Sequence, residues 1–346
     1  MANQVVQASP PRLVDVARAA GVSLATASRA MSGSSGVSAV LAAHVQAVAS
    51  RVGYVPNTHA RVLAGGRTTL VGLVVHDVGD PYFAEIARGV LQETDRRGYM
   101  TLISQTERDP QAELARIRGL RAQRVTSIML AGSGYVEPGA ETGTGAELRS
   151  FAAGGGRVAV IGRHHLPADA VLPDNREGAA TLMRHLLGLG HRRIGVVSGP
   201  ERLTTVEDRL AGLRDALAER GMPWSGVPLA QGGFTREGGA RAVARLLDAR
   251  PDLTAVVALN DPMAAGALAW LLHRGRRVPG EISVAGFDDV PAAADVYPAL
   301  TTVRLPMVEM GRQALDLVLQ PAAERPRRLR TGHELVTRAS TGPAPT

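Results

Sequence analysis

The chain has 346 residues, 45% of them hydrophobic and only 3% aromatic, with a formal net charge of +7. That length exceeds one ordinary core and implies two or three domains of soluble α/β character. The absence of cysteine excludes disulfides, Cys-ligated zinc and iron–sulfur clusters, and no apolar run approaches the ~20 residues needed to span a bilayer.

All 39 basic residues are arginine, which removes the lysine that a Walker phosphate loop or a Schiff-base enzyme requires. The first residues lack the basic-then-apolar order of a secretory signal, so a cytoplasmic location is expected. Charge is unevenly spread: residues 1–67 carry six arginines against Asp15 alone, and the middle of the chain is near neutral. A basic head on a neutral body is the footprint of a nucleic-acid binder with one binding end. Tyr54 is the only aromatic residue of that head, so duplex DNA suits it better than a single-strand stacking platform.

In chain order, Leu13, Val16, Ala17 and Ala20 recur at helical spacing, and Gly21 supplies the backbone on which a helix can stop. Val22 follows as an apolar plug, and Ser23 is a good N-cap for a second helix that buries Ala27, Ala30 and Met31. Two short helices joined by a Gly-containing turn form a helix-turn-helix pattern, which would place Arg29 and the small first-turn side chains in a major groove. An ordinary helical hairpin has the same local pattern. A third helix is predicted over Ser38–Val52, with Val40, Leu41, Val45, Val48 and Val52 inward. After Gly53–Asn57, the segment Thr58–Ala64 could add one or two turns before Gly65-Gly66.

From Thr69 the texture changes to alternating strands and helices. Strands are predicted at Leu70–Val75, Met100–Ser104, Ser127–Ala131 and Arg157–Ile161, with helices between them. The pattern then repeats, with strands at Ile194–Ser198, near Val227–Ala230, at Ala255–Leu259 and at Ile282–Phe287. Such an order forces parallel strands with right-handed crossovers, in two doubly wound lobes flanking a cleft. A last helix, Pro306–Leu319, and a strand near Glu334–Arg338 follow.

Ligands in open α/β sheets sit beyond the carboxyl ends of strands. That rule points to His76-Asp77, Arg163, Asn260-Asp261 and Asp288-Asp289, with Arg209 near the same edge. Carboxylates that accept from vicinal hydroxyls, and arginines that donate back, suit a polyhydroxylated ligand. Phe83 and Phe234 could stack on a sugar ring. Asn260, Asp261 and Asp288 also stand where helix N-caps are wanted, and each Asp is divided evenly between capping and ligand contact.

Catalysis finds little support. His164-His165 is adjacent instead of i, i+4, so no metal set is complete, and no cofactor or metal is expected. Ser198-Gly199-Pro200 is not a nucleophile elbow, and Gly154-Gly155-Gly156 precedes a strand instead of following one.

Gly-Val-Ser-x-x-Thr-x-Ser-Arg (21–29), Val-Ser (37–38) and Gly-Tyr-x-Pro-Asn-x-x-Ala-Arg-x-Leu (53–63) strongly resemble the lactose-repressor/galactose-repressor family of bacterial transcription factors. Further blocks follow in family order: Leu-Pro-Asp-Asn-Arg-Glu-Gly (172–178), Asp-Arg-Leu-Ala-Gly-Leu (208–213), Leu-Asn-Asp-Pro-Met-Ala-Ala-Gly-Ala (259–267) and Val-Pro-Gly-Glu-Ile-Ser-Val-Ala-Gly-Phe-Asp-Asp (278–289). The resemblance implies a helix-turn-helix head over 1–56, a hinge helix and linker over 57–67, and a periplasmic-binding-protein-like core over 68–346. The first lobe would comprise about 68–163 plus 304–330, and the second about 164–303 plus 331–340.

The resemblance assigns DNA contacts to Ser23, Leu24, Ala25, Thr26, Ser28 and Arg29, with Leu24 and Ala25 as the base-reading pair. It extends them to Asn57, Arg61 and the minor-groove wedge Leu63. Effector contacts fall on Arg209, Asn260 and Asp288, and more loosely on Asp77, Phe83, Arg163, Asp174, Thr205 and Phe234. Val62 stands where the family usually has Ser, and Ala27 where it has Val. The implied protein is a homodimeric repressor reading a pseudo-palindromic operator under a sugar effector. A purine-like effector, or a solute-binding protein, is the alternative.

Overall fold

The computed structural model describes residues 11–32, 35–54 and 69–345. The chain divides into two compact units, 1–69 and 70–346.

The first unit contains α1 (Leu13–Ala19), α2 (Leu24–Ser32) and α3 (Ala39–Arg51). Gly21 takes a positive φ of 67° to turn the chain. Ser23 Oγ then accepts from the Thr26 amide at 3.0 Å, capping α2 as its position suggests. Val16, Ala17, Ala27, Ala30, Val45, Val48 and Ala49 form the core. Val40, expected inward, is 82% exposed. At about 100° per residue, five residues separate it from Val45 by about 140° of helix circumference.

The second unit holds two parallel sheets. The first lobe contains β1 (Leu70–Val75), β2 (Met100–Gln105), β3 (Ser127–Ala131), β4 (Arg157–Ile161), β5 (Asp169–Leu172) and β11 (Arg328–Arg330), in the order β11-β5-β4-β3-β1-β2. Its helices are α4 (Pro81–Arg96), α5 (Pro110–Ala122), α6 (Thr142–Ala153) and the late α12 (Met307–Leu319). The second lobe contains β6 (Ile194–Ser198), β7 (Leu229–Gln231), β8 (Ala255–Ala258) and β9 (Ser283–Ala285), in the order β7-β6-β8-β9. It is covered by α7 (Asn175–Gly188), α8 (Thr204–Ala218), α9 (Arg236–Ala249) and α10 (Asp261–His273), with a short α11 (Ala292–Asp295) after β9. Glycines set the closest helix crossing of the first lobe: a Cβ on Gly89 of α4 would collide with the Val308 carbonyl of α12, and one on Gly311 with Ile86 of α4.

Three segments connect the lobes, following β5, β9 and β11. The second-lobe boundary expected at residue 164 is therefore corrected, because Asp169–Leu172 pairs in parallel with β4 and with β11 inside the first sheet. A four-residue strand with no intervening helix carries too little periodicity to be seen in sequence. β12 (Glu334–Val336) joins neither main sheet. It pairs antiparallel with β10 (Thr302–Arg304) between the lobes. Only the tail beyond it returns to the second lobe, where the Val284 amide donates to the Ser340 carbonyl and the Ala344 amide to the Leu189 carbonyl.

Candidate ligand-binding cleft

Loops at the carboxyl ends of both sheets converge on a cavity between the lobes, and helix capping orients several of its side chains. Asp80 Oδ1 accepts from the Tyr82 amide at 3.1 Å to start α4. Asn260 Oδ1 accepts from the Met263 amide at 2.9 Å to start α10. Capping thus accounts for one oxygen of each, while both residues also line the cavity.

At its centre Arg209, 3% exposed, spreads its guanidinium over three acceptors. Nε donates to Asn175 Oδ1 at 2.9 Å, Nη2 to Asp288 Oδ1 at 2.6 Å, and Nη1 to the Leu259 carbonyl. Its Cζ lies 3.9 Å from the Phe287 ring centroid, a cation–π contact that fixes the remaining face. Asp288 caps no helix, since α11 begins only at Ala292. Its φ of 108° turns the carboxylate into the cavity. Burial pushes the Asp288 carboxyl up to about 7, against the opposing pull of Arg209. Asp288 Oδ2 and the Asn260 amide nitrogen make no hydrogen bond among the described residues. Asp261 is structural instead, accepting from Thr302 Oγ1 at 2.6 Å and the Val290 amide at 2.8 Å.

The first lobe supplies the opposite wall. His76 is buried with Nε2 3.1 Å from the Ser133 carbonyl and Nδ1 3.2 Å from Thr106 Oγ1. Burial, reinforced by Arg108, lowers its pKa to about 3, so the imidazole is neutral. His76 and Tyr82 both meet Phe83 edge-on, at centroid distances of 5.6 and 5.1 Å. Arg108 lies 5.3 Å above Phe234 of the opposite lobe and 3.4 Å from Asp80 Oδ2. The lobes are further joined by Ser133 Oγ donating to Thr205 Oγ1 at 2.6 Å and Thr204 Oγ1 donating to the Arg163 carbonyl at 2.7 Å.

Of the nine expected contact residues, Phe83, Thr205, Arg209, Phe234, Asn260 and Asp288 line this cavity. Arg163, Asp174 and Asp77 do not. The Arg163 side chain turns onto α8, donating to Asp208 at 2.8 Å and Glu207 at 2.5 Å. Asp174 accepts from or pairs with His333 Nδ1 at 2.7 Å, joining two of the inter-lobe segments. Asp77 Oδ1 closes a turn with the Gly79 amide at 2.8 Å and faces an adjoining chamber.

Residues missed in sequence include Asp80, Tyr82, Arg108 and Ser133, whereas His76, which the strand-end rule points to, lines the cavity. The strand-end rule finds Arg108 and Ser133 once it is applied to β2 and β3 as well. Among the described residues no three His, Cys, Asp or Glu side chains group to hold a metal ion, and no helix is long and apolar enough to cross a membrane.

On the head, Leu24 is 52% exposed at the first turn of α2, beside exposed Ser23, Ala25 and Arg29. Thr26 and Ser28 are half-buried. Asn57, Arg61 and Leu63 lie outside the described residues.

The pattern of bacterial regulatory proteins of the lacI family matches residues 12–57, and that of a periplasmic binding protein-like domain matches residues 183–341. The HTH-type transcriptional regulator GalR of Escherichia coli (strain K12) is 38% identical over 315 residues, covering 90% of this chain and 89% of that protein. The HTH-type transcriptional repressor CytR of Escherichia coli (strain K12) is 31% identical, with 90% of each covered. A lac repressor dimer bound to operator and the anti-inducer ONPF superposes with a TM-score of 0.82 at 26% identity, covering 96% of this chain and all of that one. A transcriptional regulator CelR–cellobiose complex gives 0.70 at 31% identity, covering 95% of this chain and 99% of that one. A solvent-facing helix-turn-helix, a bilobed core and relatives matching nine-tenths of the chain lead to one conclusion: the protein belongs to the LacI family of bacterial regulatory proteins and is a DNA-binding transcriptional regulator.

Proposed function

We propose that this regulator is a repressor that binds a pseudo-palindromic operator as a homodimer, and that a saccharide in the inter-lobe cavity controls it. The observation that carries the reading is the Arg209–Asp288 pair beside Asn260. A buried carboxylate with one oxygen still free, next to an uncommitted amide donor, matches vicinal hydroxyls that both donate and accept. Phe83 and Phe234 add apolar surface to the cavity wall. The relatives support it, since one solved structure holds cellobiose and another of the family holds ribose. The lac repressor is seen as a dimer on its operator. Two identical heads related by a twofold would read inverted half-sites, and the protein would act in the cytoplasm, where that DNA lies.

Thermal-shift screening of the full chain against sugars and nucleobases, followed by operator release with each hit, tests the reading. Stabilisation by a sugar that also changes operator affinity supports it. Stabilisation by nucleobases alone would replace the saccharide with a purine-like effector.

A further inference from the structure

The two consecutive aspartates after β9 have separate partners. Asp288 lines the cavity, whereas the buried side chain of Asp289 meets the crossover segments. Arg304 Nε, on β10, donates to Asp289 Oδ2 at 2.7 Å. Arg338 Nη2, just beyond β12, lies 2.7 Å from Asp289 Oδ1, an ion-pair approach without hydrogen-bond alignment. Arg304 Nη1 also donates to Glu334 Oε2 at 2.7 Å across the β10–β12 pair, and Arg338 Nη1 to the Leu300 carbonyl at 2.8 Å. One buried carboxylate therefore grips the second and third crossovers together. His333, just before β12, holds Asp174 of the first crossover at 2.7 Å.

The backbone is left-handed at both aspartates, with φ of 108° at Asp288 and 54° at Asp289. Two successive non-glycine residues in that region are strained, and such strain persists only where the surroundings hold it. Arg209 holds the first side chain and Arg304 the second. A single planar peptide unit joins the two, so a shift of Asp288 is felt at Asp289.

We infer that Asp289, clamped by Arg304 and Arg338, is a positioning residue that converts effector contact at Asp288 into movement of the crossovers. None of these three is among the described residues that line the cavity. The clamp therefore governs the response to effector and not the grip on it. The inference rests on the reading that a ligand in the cavity controls operator binding.

Operator binding by the full chain, with and without cellobiose, D-ribose or D-galactose, gives a coupling ratio, typically ~5–150-fold in allosteric proteins. Asp289→Asn and Arg304→Gln, the second at a half-exposed side chain, should keep sugar affinity within about threefold of the parent and lower the ratio below about twofold. By linkage, the operator's effect on sugar affinity should vanish in the same variants. A second measurement needs no sugar. The chain has no cysteine, and Ser133 Oγ and Thr205 Oγ1 stand 2.6 Å apart across the cleft. Ser133→Cys/Thr205→Cys should thus form a disulfide only when the lobes are closed. Adding Arg304→Gln should slow its oxidation at least about threefold, because loosened crossovers populate the closed arrangement less. A parent-like coupling ratio in both variants overturns the clamp. So does a parallel loss of sugar affinity and response, which would put Asp289 in the ligand site. If no sugar alters operator binding by the parent, the saccharide reading falls and the oxidation rate alone decides: slower closure sustains the clamp, and an unchanged rate overturns it.

Discussion

Arg209 and Asp288 are joined by a 2.6 Å charge-assisted hydrogen bond, and Asp288 belongs to a segment that crosses between the lobes. The Asp288 amide donates to the Val303 carbonyl at 2.8 Å and its own carbonyl accepts from the Leu305 amide at 3.3 Å, immediately before α12 enters the first lobe. A ligand touching this carboxylate therefore touches the connection between the lobes as well as the cavity wall. That relationship gives a route from ligand to lobe arrangement without a long chain of contacts.

Asp288→Asn keeps the side-chain shape but removes the charge. It should fold and bind operator at the parent's affinity, yet lose the thermal stabilisation and operator response that the effector gives the parent. Arg209→Ala should also abolish the response, with a lower Tm because three acceptors lose their donor. Parent-like effector sensitivity in Asp288→Asn would remove Asp288 from the ligand's contacts.

The Asp288 carboxyl, raised from 3.8 to about 7, also sets a pH dependence. In the ligand-free protein a raised acid contributes stability that is fully present below its unfolded value near 4 and is lost as pH rises through 7. Hydroxyls donating to it need the ionised form, so effector affinity should weaken about tenfold between pH 8 and pH 6. His76, lowered to about 3, contributes nothing in that window. Titration calorimetry at the two pH values decides; an unchanged Kd would show that the ligand does not depend on ionised Asp288.

Arg163→Ala tests the placement of that arginine outside the cavity. The side chain pairs with partly exposed Asp208 and Glu207, so its loss should cost at most about 1 kcal/mol of stability. Effector affinity should stay within about threefold. A hundredfold loss would return Arg163 to the site.

Leu24, half exposed on α2, should govern operator choice and little else. Leu24→Asn is expected to leave the Tm of the head unchanged and to shift the preferred base at one position of each half-site by about 1–3 kcal/mol. Selection from a randomised operator library measures that shift directly. Ser23→Ala, by contrast, removes the α2 cap and should lower head stability by about 1 kcal/mol.

Leu63 lies outside the described residues, and the expectation for it rests on the family resemblance. Leu63→Ala should weaken specific operator binding while leaving the salt-sensitive nonspecific mode nearly intact. Filter binding on operator and on random DNA, each across a salt series, separates the two; equal losses would make Leu63 a packing residue.

The sequence alone determined the helix-turn-helix, because Gly21, Ser23 and the apolar spacing of α1–α3 are local signals that act within a few residues. It also determined the alternation of strand and helix, and it located Asn260 and Asp288 just past strand ends, because each strand and its following loop are contiguous; Arg209 lies within α8 and is assigned through the family resemblance. Tertiary structure decided what depends on distant pairing. β5 is a strand because β11, some 158 residues later, lies against it. Asp174 left the site because His333 reached it from the far end of the chain. Arg163 and Arg108 both follow strands of the same sheet, yet only Arg108 faces the cavity. The nearest carboxylates drew Arg163 onto α8, whereas Phe234 of the opposite lobe holds Arg108 inward. A side chain's direction is set by which partner desolvates and pairs it most favourably, and those partners are neighbours only after the lobes have folded together.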